Sequence, residues 1–395
     1  MRIASNVYQL QWLASIQRQQ AELAAIQDQV SSGKRISTAA DDPAGAAQGL
    51  LLQQGLDRLG NFASNAETAR RRLALEEGSL SQATDALNRV RELAIQAATG
   101  TQTQESRRAI AAEARELLTG LMNTANGQDG EGRYLFAGNL VQTRPFILSG
   151  NVQYAGDTGV RFQRVADART VQEGDPGSAV FMQIPNGNGA YSIAANSGNT
   201  GTASWSSATV ANGSPFVPGT YTLAFTSATG WEARSAGVVV ASGSYAPGET
   251  ITFQGASIEF QGTPAAGDQF TVASSRFQDV FRTVQDFIGT LGTNTSNAAG
   301  RATFQNQINA NLQNLDQALQ HVSNFRSQVG ARLATIDQQL DNNADVALEL
   351  KSSLSRIQDL DYASAISKLE QRLTSLEAAQ KAYARTQSFS LFDVL

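Results

Sequence analysis

Residues 52–97 have the sequence LQQGLDRLGNFASNAETARRRLALEEGSLSQATDALNRVRELAIQA, with an apolar side chain at every seventh position. Counted from the first of them, one seam consists of Leu52, Leu59, Ala66, Leu73, Leu80, Leu87 and Ala94. A companion seam, which starts three residues later, is apolar except for Gly55 and Glu76. Heptads sustained over this length are typical of a coiled coil or a long bundle helix. The stretch therefore predicts one helix over about residues 44–98.

A second heptad pattern begins after residue 300. Its two seams are apolar except at Arg326 and contain Leu312, Leu319, Leu333 and Leu340 in one, and Leu315, Val322, Val329 and Ile336 in the other. We predict that the two long helices pack into one bundle, with a third helix near residues 104–125. Arg326 could pair with Glu76 and fix the register of the bundle. Alternatively, Phe325 takes the core position and Arg326 lies outside.

Residues 143–275 have a different pattern, in which apolar residues alternate and Gly, Pro, Asn and Ser interrupt every 8–12 residues. This pattern is typical of an antiparallel sheet or a small sandwich. Residues 186–214 have low apolar content, and we predict an exposed loop there. The fold class is therefore mainly α with a β-rich insert: a long coiled-coil helical bundle from the N- and C-terminal halves, and an antiparallel β outer domain.

Three domains follow from these boundaries. The terminal helical core is predicted to comprise residues 1–42 and 352–395 and to become ordered on assembly. The helical bundle comprises residues 43–142 and 276–351, and the β-rich outer domain is the insert.

The composition excludes several classes of function. The 395 residues include no cysteine and a single histidine, His321, so thiolate chemistry and most histidine-dependent catalysis are excluded. The net charge is −5 and the basic residues form no patch, which argues against nucleic-acid binding. No run of 18 apolar residues and no signal-peptide core is present, so we expect no membrane insertion. We predict no catalytic, cofactor-binding or metal-binding residue, and a structural role for His321.

Both ends of the chain form apolar helical stripes that need a partner. A hairpin of two such helices covers each stripe only partly, so ordering the backbone costs more than the burial returns. We therefore expect the terminal helices to order only when copies of the chain cover the remaining apolar faces. The predicted assembly interface consists of Ile3, Val7, Leu10, Leu13, Ile16, Leu23, Ile26, Val30, Ile366, Leu369, Leu373, Leu376, Tyr383, Leu391, Phe392 and Leu395.

A polar loop follows the first helix. Gly33 is suited to a left-handed C-cap, and Asp42 before Pro43 to an N-cap that starts the next helix. The string Ser32–Arg35 lacks the glycine and the spacer of a phosphate-binding loop. Four residues of this loop are candidates for contacts with a neighbouring subunit: Lys34, Arg35, Asp41 and Asp42.

Several strings resemble the flagellin superfamily, namely MRIAS at 1–5 and SSGKRISTAADDPAGAA at 31–47. Three further strings are similar to one branch, the hook-associated protein 3 family: GRYLFAG at 132–138, GETITFQGASIEFQGTPAAGDQFTV at 248–272 and SFSLFDVL at 388–395. The resemblance implies a structural subunit of the bacterial flagellum at the junction between hook and filament.

The same resemblance implies a set of partners and a location. Members of the family assemble with hook-associated protein 1 and flagellin in a ring of about eleven copies. An export chaperone binds the C-terminal helices, and the flagellar type III apparatus exports the chain unfolded, without a cleaved signal peptide, to the extracellular flagellum. Two alternatives stay open at this point: a filament flagellin, and a secreted coiled-coil adhesin or effector.

Overall fold

The computed structural model of the chain describes residues 2–100 and 102–388, with the side chains of 2–6, 8, 9 and 386–388 excepted. Six α-helices and one short π-helix (Ser178–Met182) are present in this part. The α-helices are α1 (Arg2–Ser32), α2 (Pro43–Ala98), α3 (Gln104–Ala125), α4 (Val280–Thr290), α5 (Ala298–Gln358) and α6 (Tyr362–Ser388). The strands are β1 (Phe146–Ser149), β2 (Asn151–Tyr154), β3 (Phe162–Ala166), β4 (Arg169–Gln172), β5 (Ile184–Pro185), β6 (Tyr191–Ala195), β7 (Ser204–Val210), β8 (Thr220–Ser227), β9 (Gly230–Ser235), β10 (Val238–Ser244), β11 (Thr250–Phe253), β12 (Ala256–Gln261), β13 (Gln269–Ser274) and β14 (Phe277–Gln278).

The long helices confirm the heptad predictions. In α2, the first seam is fully buried at Leu73, Leu80 and Leu87. The third helix has the predicted bounds, and the Thr103 hydroxyl caps it by accepting a hydrogen bond from the Ser106 N–H. Helix α5 continues to Gln358, beyond the heptads quoted above. The helix ends there. At the start of α6, the Asp361 carboxylate accepts a hydrogen bond from the Ser364 N–H.

The β-rich insert is an antiparallel sandwich. A five-stranded sheet of order β10-β9-β8-β13-β6 packs against a three-stranded sheet of order β11-β12-β7, and the two share one apolar core. The expectation of an exposed loop over residues 186–214 was wrong, since β6 and β7 lie there. Their large side chains, Tyr191 and Trp205, are almost fully buried. Each of these two strands places one aromatic side chain in the core. The average apolar content of residues 186–214 is therefore low, although the stretch contributes to the core.

Amide side chains of α5 hold the sandwich against the helix. Asn306 is buried; its Oδ1 accepts from the Trp205 N–H at 2.9 Å and its Nδ2 donates to the Ala203 carbonyl at 3.1 Å. The Asn309 amide donates to the Trp205 carbonyl at 2.6 Å, and Asn314 accepts from the Gly187 N–H at 2.7 Å. We call Asn306, Asn309 and Asn314 the amide clamp. Its members hydrogen-bond to backbone groups at the start of β7 and, at Gly187, in the turn before β6, so these groups have partners inside the protein.

The string GRYLFAG forms the base of the insert. Phe136 is fully buried, and its ring lies 5.0 Å from that of Phe181 in an edge-to-face contact. Phe146 extends this cluster to Phe281 of α4, with ring centroids 5.2 Å apart. Gly138 closes the string with a φ of +68°, in the left-handed region that favours glycine.

Gly138→Ala is expected to destabilise the protein by about 2 kcal/mol or more, because the left-handed backbone alone costs about 1–2 kcal/mol. The new methyl group would also collide with the carboxylate and carbonyl of Asp157. Urea unfolding followed by circular dichroism measures the change in the free energy of unfolding. Gly78→Ala is the control, since Gly78 lies inside α2 with no neighbour within 4 Å of the added carbon. That variant should gain about 0.5–1 kcal/mol; equal effects of the two substitutions would contradict the expectation.

The chain divides into two compact units. The terminal unit comprises Met1–Ser64 and Gln339–Leu395, and the central unit comprises Asn65–Gln338. The division into three domains at residues 42, 142, 275 and 351 stays a prediction.

Candidate assembly interface

Helices α1 and α6 of the terminal unit pack along each other in opposite directions. An ion pair joins Glu22 to Arg372 at 2.9 Å, and an antiparallel backbone bridge joins Lys34 to Asp359. Ile16 and Leu376 lie in the seam between the helices and are 8% and 9% exposed. The two ends of the chain therefore form one helical pair.

The predicted interface residues fall into three groups. Ile16 and Leu376 are buried in the pair, and Leu23, Ile26, Val30, Leu369 and Tyr383 are half-buried. Five large apolar side chains are exposed, with fractions of 40–66%: Val7, Leu10, Leu13, Ile366 and Leu373. The Ile3 side chain and residues Leu391, Phe392 and Leu395 lie outside the described residues. That these side chains contact other subunits stays a prediction.

The terminal unit exposes further apolar side chains that the sequence analysis missed. They are Trp12, Leu50, Leu51, Val346, Leu348 and Tyr362. Leu51 and Leu348 are 68% and 69% exposed, more than any residue of the predicted apolar interface whose side chain the structure describes. The run Leu50–Leu52 could have predicted this exposure. Only Leu52 belongs to the heptad seam, and consecutive residues of a helix point in different directions, so Leu50 and Leu51 lie on other faces.

Two turns of the terminal unit are joined by backbone hydrogen bonds, and we call this contact the joint. The Leu360 N–H donates to the Gly33 carbonyl at 3.0 Å, and the Arg35 N–H donates to the Gln358 carbonyl at 2.7 Å. Gly33 has a φ of +69°, which confirms the predicted left-handed cap of α1. A Cβ at this position would lie 2.7 Å from the Tyr362 hydroxyl, so the Tyr362 side chain would have to move to make room for it.

The charged residues of the loop make contacts within the chain. The Arg35 guanidinium donates to the Ile357 carbonyl at 2.8 Å and pairs with Asp42 at 3.3 Å. Asp42 also accepts from the Gly45 N–H, as an N-cap of α2 does, which confirms that prediction. Asp41 accepts from the N–H groups of Ser37 and Thr38. In the part of the chain that the structure describes, the exposed Lys34 has no side-chain partner.

Backbone hydrogen bonds hold the pKa of both carboxyls below the ordinary value. For Asp41 the largest cause is the Thr38 N–H, and for Asp42 it is the Gly45 N–H. A lowered pKa in the folded state means that the contribution to stability is present above the ordinary pKa and is lost as the pH falls. The loop is therefore expected to loosen in acid.

One predicted contact in the central unit was wrong. Arg326 pairs with Glu77, at 2.7 Å between Nη2 and Oε1, and not with Glu76. Adjacent helix positions differ in direction by about 100°, so Glu77 lies at the edge of the bundle while Glu76 faces its interior. The His321 Nε2–H donates a hydrogen bond to the Ala179 carbonyl, 2.8 Å away, as expected of a structural histidine.

Solved structures of two bacterial proteins share this fold. FlgL from Xanthomonas campestris is 34% identical, with a TM-score of 0.73 over 77% of this chain and 99% of that one. Flagellar hook associated protein-3 from Legionella pneumophila is 33% identical, with a TM-score of 0.75 over 78% of this chain and 98% of that one. The chain belongs to the hook-associated protein 3 family.

Sequence comparisons agree with this membership of the hook-associated protein 3 family. Residues 3–140 match the bacterial flagellin N-terminal helical region, and residues 312–395 match the bacterial flagellin C-terminal helical region. Flagellar hook-associated protein 3 of Salmonella typhimurium is 34% identical over 184 residues, which is 47% of this chain. The match spans 58% of the length of that relative. Among the described residues, no helix has the length and apolarity needed to cross a membrane.

Proposed function

We propose that this chain is a structural subunit of the bacterial flagellum that joins the hook to the filament. A solved relative from Legionella pneumophila, 33% identical and matched over 100% of its length, is described as the flagellar junction protein FlgL. The observation that carries the proposal is the apolar surface of the terminal unit, where Leu10, Leu51 and Leu348 are each more than half exposed. The role is structural rather than catalytic.

The stability of the terminal helices depends on where their apolar side chains are buried. Fully burying one leucine-sized side chain contributes about 1.5–3 kcal/mol. The pair α1–α6 buries few of its large side chains well, which supports the expectation that neighbouring subunits cover the rest. Assembly would then supply the stability that an isolated pair of helices lacks.

The finer parts of the proposal rest on the family resemblance. Hook-associated protein 1 would contact one side of a ring of about eleven copies of this chain, and flagellin the other. An export chaperone would bind the C-terminal helices before the type III apparatus exports the unfolded chain to the cell exterior. Residues 1–42 with 352–395 would line the inner core, residues 43–142 with 276–351 the next layer, and residues 143–275 the outer surface.

Deletion of the gene tests the junction role. We expect deletion cells to carry bare hooks in electron micrographs and to release monomeric flagellin into the medium, because the filament has nothing to build on. Hooks without flagellin in the medium would indicate the filament subunit instead. Normal, firmly attached filaments would overturn the flagellar assignment and favour a secreted coiled-coil adhesin or effector.

A further inference from the structure

Two acidic side chains meet in the interior of the central unit. Glu76 of α2 and Asp175, which follows β4, are 2% and 5% exposed. The Glu76 Oε1 accepts from the Asp175 backbone N–H at 3.1 Å, and the neighbouring Asp175 side chain is one cause of the raised pKa of Glu76. This contact joins positions 99 residues apart in the chain and fastens the base of the insert to α2.

A single cation serves the two acids. Arg332 of α5 donates to both oxygens of Asp175, at 2.7 and 3.1 Å, and the Gln172 amide adds a third hydrogen bond. Because Arg332 pairs with Asp175, Glu76 has no ion pair of its own among the residues that the structure describes. When two buried carboxyl groups share one cation, ionising both is unfavourable, and the pKa of one of them is raised.

The surrounding charges are paired with one another. Arg72, on the same face of α2 as Glu76, pairs with Asp129 and donates to the Tyr134 carbonyl. Beyond it, Arg161 pairs with Glu173 at 2.7 Å. Arg332 pairs with Asp175 rather than with Glu76, so the site favours the neutral form of Glu76.

We propose that Glu76 and Asp175 form a proton-dependent latch, which holds the base of the insert on α2 while Glu76 is protonated and weakens when Glu76 ionises. The protonated Glu76 can donate its O–H to the ionised Asp175 and accept from the Asp175 N–H. Loss of the proton replaces that donation by repulsion between two buried carboxylates. The proposal does not depend on the flagellar role of the chain.

The direction of the pH dependence follows from the Glu76 carboxyl. Burial, reinforced by the neighbouring Asp175 charge, raises its pKa well above the ordinary value of 4.5. A raised pKa in the folded state gives stability that is fully present below the ordinary value and is lost as the pH rises through the folded-state value. The latch is thus closed in acid and opens toward alkaline pH.

Unfolding by urea at several pH values tests the latch, with Glu76→Gln as the main variant. Glutamine can accept from the Asp175 N–H and donate to its carboxylate, so it imitates protonated Glu76 without titrating. Between about pH 5 and pH 9 the unfolding midpoint of the wild type should fall, and that of E76Q should fall markedly less. Glu77→Gln is the matched control and should follow the wild type, since Glu77 is part-exposed and paired with Arg326. Equal slopes for the wild type and E76Q would overturn the proposal.

Two further measurements place the effect at the latch. Hydrogen exchange of the peptide around Asp175 should be faster in the wild type than in E76Q at about pH 9, and similar at about pH 5. A carbon-13 titration of the Glu carboxyl groups in the wild type needs no variant and settles the matter if E76Q fails to fold. One Glu should titrate well above the others; a set in which every Glu titrates in the ordinary range would sink the idea.

Discussion

Leu10→Asp is expected to abolish filament attachment while the isolated protein stays as stable as the wild type. Leu10 is 66% exposed in the terminal unit, so a charged side chain there meets water and changes stability by no more than about 0.5 kcal/mol. In the proposed assembly the same carboxylate would be buried against apolar side chains of another subunit, which costs several kcal/mol at each contact. The measurement is swimming and filament counts in deletion cells that express the variant.

The control separates assembly from export. Leu10→Met keeps an apolar side chain of similar volume and should restore motility. Immunoblots of the culture medium should contain L10D, which would show that the variant leaves the cell but does not assemble. If L10D supports normal filaments, the exposed face of α1 near Leu10 is not an interface.

Arg332→Ala is expected to cost about 3–5 kcal/mol, the largest stability effect of any single charge deletion that we foresee. Asp175 would remain buried beside Glu76 without the two hydrogen bonds from Arg332 that now hold its carboxylate. Urea unfolding at neutral pH measures the loss in the free energy of unfolding.

Arg326→Ala provides the matched control on the same helix. Arg326 and its partner Glu77 have about a third of their side-chain surface exposed, so this pair is worth at most about 1 kcal/mol. If Arg332→Ala and Arg326→Ala lowered the free energy of unfolding by similar amounts, the burial of Asp175 would not be what makes the Arg332–Asp175 pair strong.

The parts of the fold that could be predicted are those specified by neighbouring residues. Heptads, the Asp42 cap and the left-handed Gly33 each depend on a few consecutive positions, and each lies where the sequence places it. The exposed leucines at 50, 51 and 348 could have been found by asking which apolar residues the seams leave over.

The parts that could not be predicted depend on contacts between distant positions. The Arg332–Asp175 pair joins residues 157 positions apart, and the sequence contains many arginines and carboxylates that could have paired instead. The sequence suggested Arg326 as the partner of Glu76, because Asp175, which does contact it, lies 99 positions away at the base of the insert. The strand order of the sandwich is hidden for the same reason, since alternation identifies strands but not their neighbours.

The amide clamp has a consequence for how the insert responds to its surroundings. Asparagine side chains carry no charge and do not titrate, so neither salt nor ordinary changes of pH weaken the bonds from Asn306 to the Trp205 and Ala203 backbone. The contact at Glu76, in contrast, depends on a single proton. The sandwich should therefore stay bound to α5 at low salt, at high salt and at alkaline pH. Any loosening should be confined to the base of the insert.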